Sequence, residues 1–124
     1  MNPWDIDVKN HPEIEYKFEY KNYECKVRRN QEFKTWYGYT TLPNSHPFYN
    51  KHHNKDYDEL KKIDVHGSLT YGLHGTFGFD TAHVEDIIPG LLFRDISDKS
   101  KHYWTFDEVV EETKRMVDQF IVYE

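Results

Sequence analysis

Residues 14–28 alternate between apolar and charged side chains, and this alternation restricts the fold more than any other feature of the sequence. A period of two residues is the period of a β-strand that buries one of its faces. The alternation is interrupted once, at Lys21-Asn22, and asparagine tolerates the positive φ that a tight turn requires. The segment therefore predicts a β-hairpin, with one strand before this break and a second strand after it.

Three further segments favour strands. Residues 35–42 are rich in β-branched and aromatic side chains, and Gly38 within them indicates a bulge or a close backbone approach. Residues 68–71 and 76–79 are two short candidate strands around a link that contains Gly72 and Gly75. We expect residues 60–65 to form either a short turn of helix or an edge strand.

The C-terminal segment predicts a helix over residues 105–122. Thr105 and Glu108 have the spacing of a capping box. The following apolar side chains recur at helical intervals, and they are Phe106, Val109, Val110, Met116, Val117, Phe120 and Ile121. An amphipathic helix of this kind packs on a sheet, so the predicted fold class is α+β: a small antiparallel sheet, built from the N-terminal hairpin and further short strands, packed by a C-terminal helix.

The remaining segments complete the prediction of one domain over residues 1–124. Residues 1–12 are expected to form an N-terminal arm, and residues 43–58 an exposed loop that starts with two prolines. Aromatic side chains make up 17% of the 124 residues, and their large rings can fill a core. The N-terminal sequence lacks the pattern of a signal peptide, no apolar run could span a membrane, and Cys25 has no partner for a disulfide. We therefore expect a cytoplasmic protein.

The formal net charge of −6 argues against duplex nucleic acid as a partner, because neutralising its phosphates requires a basic face. A small anionic ligand is still compatible with this charge, since a few local cations can hold one phosphate. The candidate cations are Lys26, Arg28, Arg29 and Arg94. For a nucleotide ligand, Arg28 would meet the phosphate, and Trp36 or Tyr39 would stack a base. Burial of the aromatic side chains in the core is the competing interpretation.

Two runs of the sequence carry the candidate chemistry. Each places a histidine, His66 or His83, beside small residues where a probable strand meets a turn. If the two strands pair, both imidazoles meet at one edge of the sheet. A pair of histidines can cleave a phosphoester without metal, one as general base and the other as general acid. Three further residues are assigned supporting roles: Asp80 to orient His83, and Thr70 and Tyr71 to donate hydroxyl groups to a phosphoryl oxygen.

Two other interpretations of this region stay open. The chain has eight histidines, so His66 and His83 could be ordinary hydrogen-bonded residues. No cofactor is predicted, but Asp80, His83 and Asp86, with His66 added, form a mixed N/O set suited to Zn or Mn. Their spacing matches no strong metal-binding signature.

Several of these runs resemble a family of small, mostly uncharacterised proteins of phages and large viruses. The similar segments are Trp36-Tyr37-Gly38-Tyr39, Ser45-His46-Pro47, the HGSLTY run from His66 to Tyr71 and the FGFDTAH run from Phe77 to His83. The phage members read HGGLTY and FGFDCAHAGD, so Ser68 stands in place of a glycine and Thr81 in place of a cysteine. The resemblance covers about the middle half of the chain. It implies a viral protein that antagonises cyclic-nucleotide immune signalling, with His66, Thr70, Tyr71, Asp80, His83 and Asp86 as its working residues.

Three hypotheses follow. The first is an anti-defence phosphodiesterase that cleaves a cyclic dinucleotide such as cGAMP. The second is a nucleotide-sequestering sponge that leaves its ligand intact, and the third is an inhibitor that binds a host protein through its acidic surface. A homodimer is a further hypothesis, because aromatic-rich sheets often leave an apolar face that a second copy of the chain can cover.

Overall fold

The computed structural model describes residues 2–91 and 100–124. Five strands form one sheet with the order β1-β2-β3-β5-β4, and all neighbouring strands are antiparallel. The strands are β1 (Glu15–Tyr20), β2 (Tyr23–Asn30), β3 (Thr35–Thr41), β4 (Tyr71–Leu73) and β5 (Thr76–Asp80). The helices are α1 (Pro3–Asn10), α2 (Tyr57–Leu60) and α3 (Phe106–Val122). The predicted α+β class, an antiparallel sheet with a C-terminal helix, is confirmed.

The predicted hairpin is formed by β1 and β2. Tyr20 pairs with Tyr23 across a two-residue turn. Lys21 and Asn22 both have positive φ, 49° and 70°, which is the conformation that matches the twist of two-residue hairpins. The local turn chemistry therefore fixes the register of the first two strands.

The helix α3 packs on one face of the sheet, which we call the inner face. Side chains alternate along β3, so Trp36 and Thr40 are buried on this face while Tyr37 and Tyr39 point to the opposite, outer face. A Cβ added to Gly38 would lie 2.3 Å from Thr113 Oγ1. Gly38 thus marks a close approach of helix to sheet. None of the helices in the described part of the chain is both long and apolar enough to span a bilayer; α3, the longest, has 17 residues.

The N-terminal arm predicted over residues 1–12 contains the helix α1, which is docked on the core. Its residue Asp7 is buried and accepts hydrogen bonds from Trp36 Nε1 at 2.6 Å and from the Phe106 backbone N–H at 2.9 Å. The arm therefore closes the inner face beside the start of α3. Hydrophobic periodicity in residues 1–12 does not predict this docking, because the decisive contacts are made by a buried carboxylate.

The loop predicted to be exposed over residues 43–58 is buried in part, so that prediction was wrong near the start of the loop. Phe48 and His46 are both buried. His46 Nε2 donates to the Phe120 carbonyl at 2.7 Å, and His46 Nδ1 accepts from the Phe48 N–H at 2.9 Å. The imidazole thereby joins this loop to the last turn of α3.

Two of the predicted short elements are displaced. The strand expected over residues 68–71 begins only at Tyr71, because Gly67 and Ser68 both have positive φ and form a turn. Residues 60–65 contain the end of α2 and a turn, so the edge-strand alternative was wrong.

Candidate functional site

His66 lies in the turn between α2 and β4. Its backbone N–H donates to Glu112 Oε2 of α3 at 2.8 Å. The next residue, Gly67, has a φ of +68°, a conformation that glycine adopts without steric cost. The helix and the glycine together fix the direction of the chain at His66.

Asp86 connects the two histidines. Its carboxylate is 1% exposed and accepts from His66 Nε2 at 2.8 and 2.9 Å and from the backbone N–H of His83 at 2.9 Å. Because a carboxylate only accepts hydrogen bonds, the proton of the neutral His66 ring is on Nε2. This leaves His66 Nδ1 as the basic nitrogen of the ring.

His83 lies beside Asp80, the last residue of β5. His83 Nε2 is 3.1 Å from Asp80 Oδ1, but the atoms are not aligned for a hydrogen bond, and the buried Nε2 has no hydrogen-bond partner among the described residues. We therefore regard the pair as a close contact that becomes an ion pair when His83 is protonated. The ring also packs on Gly67, where an added Cβ would be 2.0 Å from Nε2.

The structure brings the two imidazoles together. The ring centroids of His66 and His83 are 5.5 Å apart with an interplanar angle of 73°. The side chains are 14% and 24% exposed. Trp104, which the sequence analysis did not single out, covers His66 with a centroid distance of 4.3 Å. The site is therefore two partly buried imidazoles, each beside a carboxylate.

Thr70 and Tyr71 lie at the start of β4. Both side chains are exposed, and Thr70 N donates to the Gly78 carbonyl at 2.9 Å. Tyr71 packs edge-to-face on Tyr39, with centroids 5.8 Å apart. In residues 2–91 and 100–124 no hydrogen bond or ring contact joins either side chain to His66 or His83, so the hydroxyl-donor roles assigned to them stay predictions.

The three predicted base- and phosphate-binding residues divide between the two sides of the sheet. Trp36 is fully buried and donates to Asp7, so its predicted role in stacking a base is wrong: the indole is part of the core. Tyr39 and Arg28 are on the outer face, where the Arg28 side chain is 56% exposed. Arg94, a candidate cation, lies outside the described residues.

The alternative metal set of Asp80, His83 and Asp86 is not the grouping that the structure shows. Asp86 faces His66, while Asp80 lies beside His83. Among residues 2–91 and 100–124, the potential metal ligands whose ligand atoms all lie within 4.8 Å of one another are instead those of His66, Glu85 and Asp86. Glu85 was not predicted, although its position next to Asp86 is a signal that could have drawn attention to it.

Glu112 is a further residue that the sequence analysis missed. Burial favours its neutral form, but hydrogen bonds from Arg115 and from the His66 N–H outweigh this effect and hold the pKa of Glu112 below its ordinary value. Glu112 Oε1 and Oε2 accept from Arg115 Nε and Nη2 at 2.8 and 2.9 Å. The ionised carboxylate thereby anchors His66 to α3, and the Glu112–Arg115 spacing of three residues on a helix was its only sequence signal.

Comparison of the chain with protein families, with curated proteins and with solved structures found no match. The functional interpretation therefore depends on the geometry of the site.

Proposed function

We propose that this protein is a phosphodiesterase that cleaves a cyclic dinucleotide, such as cGAMP, with His66 and His83 as its acid–base pair. The observation that carries the proposal is the 5.5 Å separation of the two rings. An acid and a base must each approach an oxygen of the reacting group to about 2.6–3.2 Å. Rings at this separation can reach two oxygens of one phosphate.

The reaction assigns a different task to each imidazole. His66 Nδ1 takes the proton of a ribose 2′-hydroxyl, whose oxygen forms a bond to the adjacent phosphorus. The bond from phosphorus to the 5′-oxygen breaks, and His83 donates a proton to that leaving oxygen. The product is a linear dinucleotide that ends in a 2′,3′-cyclic phosphate, and the proton balance is restored by exchange with solvent.

Each histidine has a neighbouring carboxylate that supports its role. Asp86 holds the proton of His66 on Nε2 and stabilises the imidazolium that forms when Nδ1 takes a proton, as in a catalytic triad. Asp80 Oδ1 lies 3.1 Å from His83 Nε2 and would stabilise the protonated His83 that acts as the acid. In the cytoplasm of an infected host cell, this reaction would remove a nucleotide signal of immunity.

The test is turnover of 3′,3′-cGAMP in EDTA, followed by chromatography, for the wild type and for His66→Asn and His83→Asn. We expect metal-independent turnover that falls at least about 100-fold in each variant. His74→Asn is the matched control, because His74 is exposed in a turn with positive φ, which asparagine tolerates.

Two results would contradict the proposal. The first is that the wild type loses all turnover in EDTA and the Glu85→Gln variant loses turnover as well. This result would assign the chemistry to a metal ion held by His66, Glu85 and Asp86. No turnover of any cyclic dinucleotide under any condition would exclude the enzyme.

A non-catalytic sponge is the second candidate, and the exposed aromatic and cationic side chains of the outer face support it. The discriminating measurement is the chemical state of the ligand after the complex is denatured. Recovery of intact nucleotide after long incubation favours the sponge.

A further inference from the structure

The outer face of the sheet carries cations and aromatic rings in adjacent strands. The register places Lys26 opposite Tyr39 and Arg28 opposite Tyr37. Gly78 of β5 lies between Tyr39 and Tyr71, since it pairs with both. Because α3 packs on the inner face, these side chains are not part of the core.

A groove of about 380 Å³ lies among these side chains, within the size range of pockets that bind small molecules. It is lined by Lys26, Arg28, Tyr37, Tyr39, Tyr71 and Thr76. Among the residues that the structure describes, this lining has two cations, three phenol rings and no carboxylate, in a chain with a net charge of −6. An adjoining groove of about 470 Å³ shares Lys26, Tyr39 and Thr76 with the first and adds one further cation, Lys17, and one carboxylate, Glu24.

The missing side chain of Gly78 shapes the floor of this groove. A Cβ at Gly78 would lie 2.4 Å from Tyr39 Cδ1, so any larger residue would displace the Tyr39 ring. Tyr39 in turn contacts Tyr71 edge-to-face at 87°. Tyr71 is 42% exposed, which leaves part of its ring free for another planar group.

The two cations are only partly neutralised. Lys26 Nζ is 3.6 Å and Arg28 Nη1 is 4.0 Å from the same oxygen of Glu15. Lys17 Nζ is 3.9 Å from the other oxygen of Glu15, so one carboxylate serves three cations. The Lys26 and Arg28 side chains are at least 36% exposed. A phosphate could approach either one without displacing a buried ion pair.

We propose that the outer face is the nucleotide-binding surface, with a base stacked on Tyr71 and Tyr39 and a phosphate held by Lys26 and Arg28. The inference rests on the proposed function, since it assigns the substrate of that reaction to a surface. Asp80 pairs with Tyr37 and is 3.1 Å from His83. The lining residue Tyr37 is thus linked to His83 through Asp80, and we expect a ligand with two nucleotides to extend from the groove toward the histidine pair.

The test is calorimetric titration with 3′,3′-cGAMP in the His83→Asn background, where we expect turnover to be at least about 100-fold slower. We expect Tyr71→Ala to raise Kd about tenfold, the loss of one stacking partner. The double substitution Lys26→Ala/Arg28→Ala should weaken binding by a similar factor and reduce its salt dependence. Tyr57→Ala is the matched control, because Tyr57 is 59% exposed with Lys61 Nζ 5.9 Å from its ring, and it should leave Kd unchanged.

The same variants separate this inference from the proposed reaction. If Tyr71→Ala and Tyr57→Ala have equal Kd values, the outer face is not the dinucleotide-binding surface. The same conclusion follows if the protein binds single-stranded RNA tightly and does not bind the dinucleotide. If the wild type turns over the dinucleotide and KM is unchanged in Tyr71→Ala, the binding-surface proposal fails and the proposed reaction stands. If binding depends on Tyr71 but no cleavage occurs, the proposed reaction fails and the binding-surface proposal stands.

Discussion

Asp86 determines the arrangement of the candidate site at the scale of single residues. Its buried carboxylate accepts from the ring of His66 and from the backbone of His83, which ties together two positions that are seventeen residues apart in the chain. A buried carboxylate needs such partners, because an unpaired one is costly to desolvate. Asp86 is therefore a positioning residue for both histidines.

Asp86→Asn should lower kcat at least about 100-fold with little change in KM, because an amide does not hold the His66 proton on Nε2 or stabilise the imidazolium. Steady-state kinetics on a cyclic dinucleotide give the measurement. Glu85→Gln is the neighbouring control and should retain activity in EDTA. An unchanged kcat in Asp86→Asn would show that His66 does not act as the base.

Ser68→Gly should stabilise the protein by about 0.5–1 kcal/mol. The φ of Ser68 is +69°, which strains an L side chain but not glycine. Thr70→Gly, at a neighbouring exposed position without positive φ, should have the opposite sign. Urea unfolding of both variants measures the difference, and a lower stability for Ser68→Gly would contradict this account.

At the scale of elements, α3 organises the inner side of the molecule through contacts along its length. Thr105 and Glu108 form a reciprocal capping box at its start. Glu112 holds the His66 turn near its middle, and the Phe120 carbonyl accepts from the loop residue His46 at its end. Through Glu112, α3 is thus in direct contact with the candidate site.

Thr105→Ala should destabilise the fold by about 1 kcal/mol, because the Glu108 N–H loses its side-chain acceptor at the helix start. The control is Asp107→Ala, since the Asp107 side chain is 86% exposed and is not the cap. Chemical unfolding compares the two, and an equal effect in both variants would show that the capping box contributes no stability.

Glu112→Ala should destabilise the protein by about 1–2 kcal/mol, because the His66 N–H loses an acceptor and Arg115 loses its bidentate partner. Glu112→Gln keeps an acceptor for His66 and should retain more activity than Glu112→Ala. Activity normalised to the folded fraction tests this positioning role. Equal activity in the two variants would contradict it.

At the scale of the whole molecule, two carboxylates of α3 make the stability of the fold depend on pH. The hydrogen bond from Lys21 lowers the pKa of Asp118 below its ordinary value of 3.8 and joins α3 to the β1–β2 turn. The pKa of Glu112 is likewise below its ordinary value of 4.5. Both carboxylates thus bind protons more weakly in the folded state than in the unfolded state.

The free energy of unfolding should therefore decrease as the pH falls below about 4.5. A carboxylate with a lowered folded pKa contributes stability above its unfolded pKa and loses it as the pH falls through its folded pKa. Urea unfolding between pH 6 and pH 3 measures this slope, and Glu112→Gln should make it shallower. An identical slope in the variant would show that Glu112 is not linked to acid unfolding.

Local chemistry in the sequence was enough to predict the class of the fold. The alternation around Lys21-Asn22 determined the hairpin, and the Thr105–Glu108 spacing determined the start of α3, because both depend on interactions within a few residues. The meeting of His66 and His83 followed from one further assumption, that their strands lie side by side. The same local reasoning placed the start of β4 three residues too early, because the turn at Gly67 continues through Ser68 and a serine gives no sign of a positive φ.

Only the tertiary structure decided which groups face one another. It paired His66 with Asp86, it buried Trp36 against Asp7, and it brought Tyr71 to Tyr39 on the outer face. These contacts join residues that are distant in sequence, and they depend on strand order and on the path of turns. Sequence periodicity assigns a side chain to a face of its own element, but the partner it meets is determined by how the elements pack.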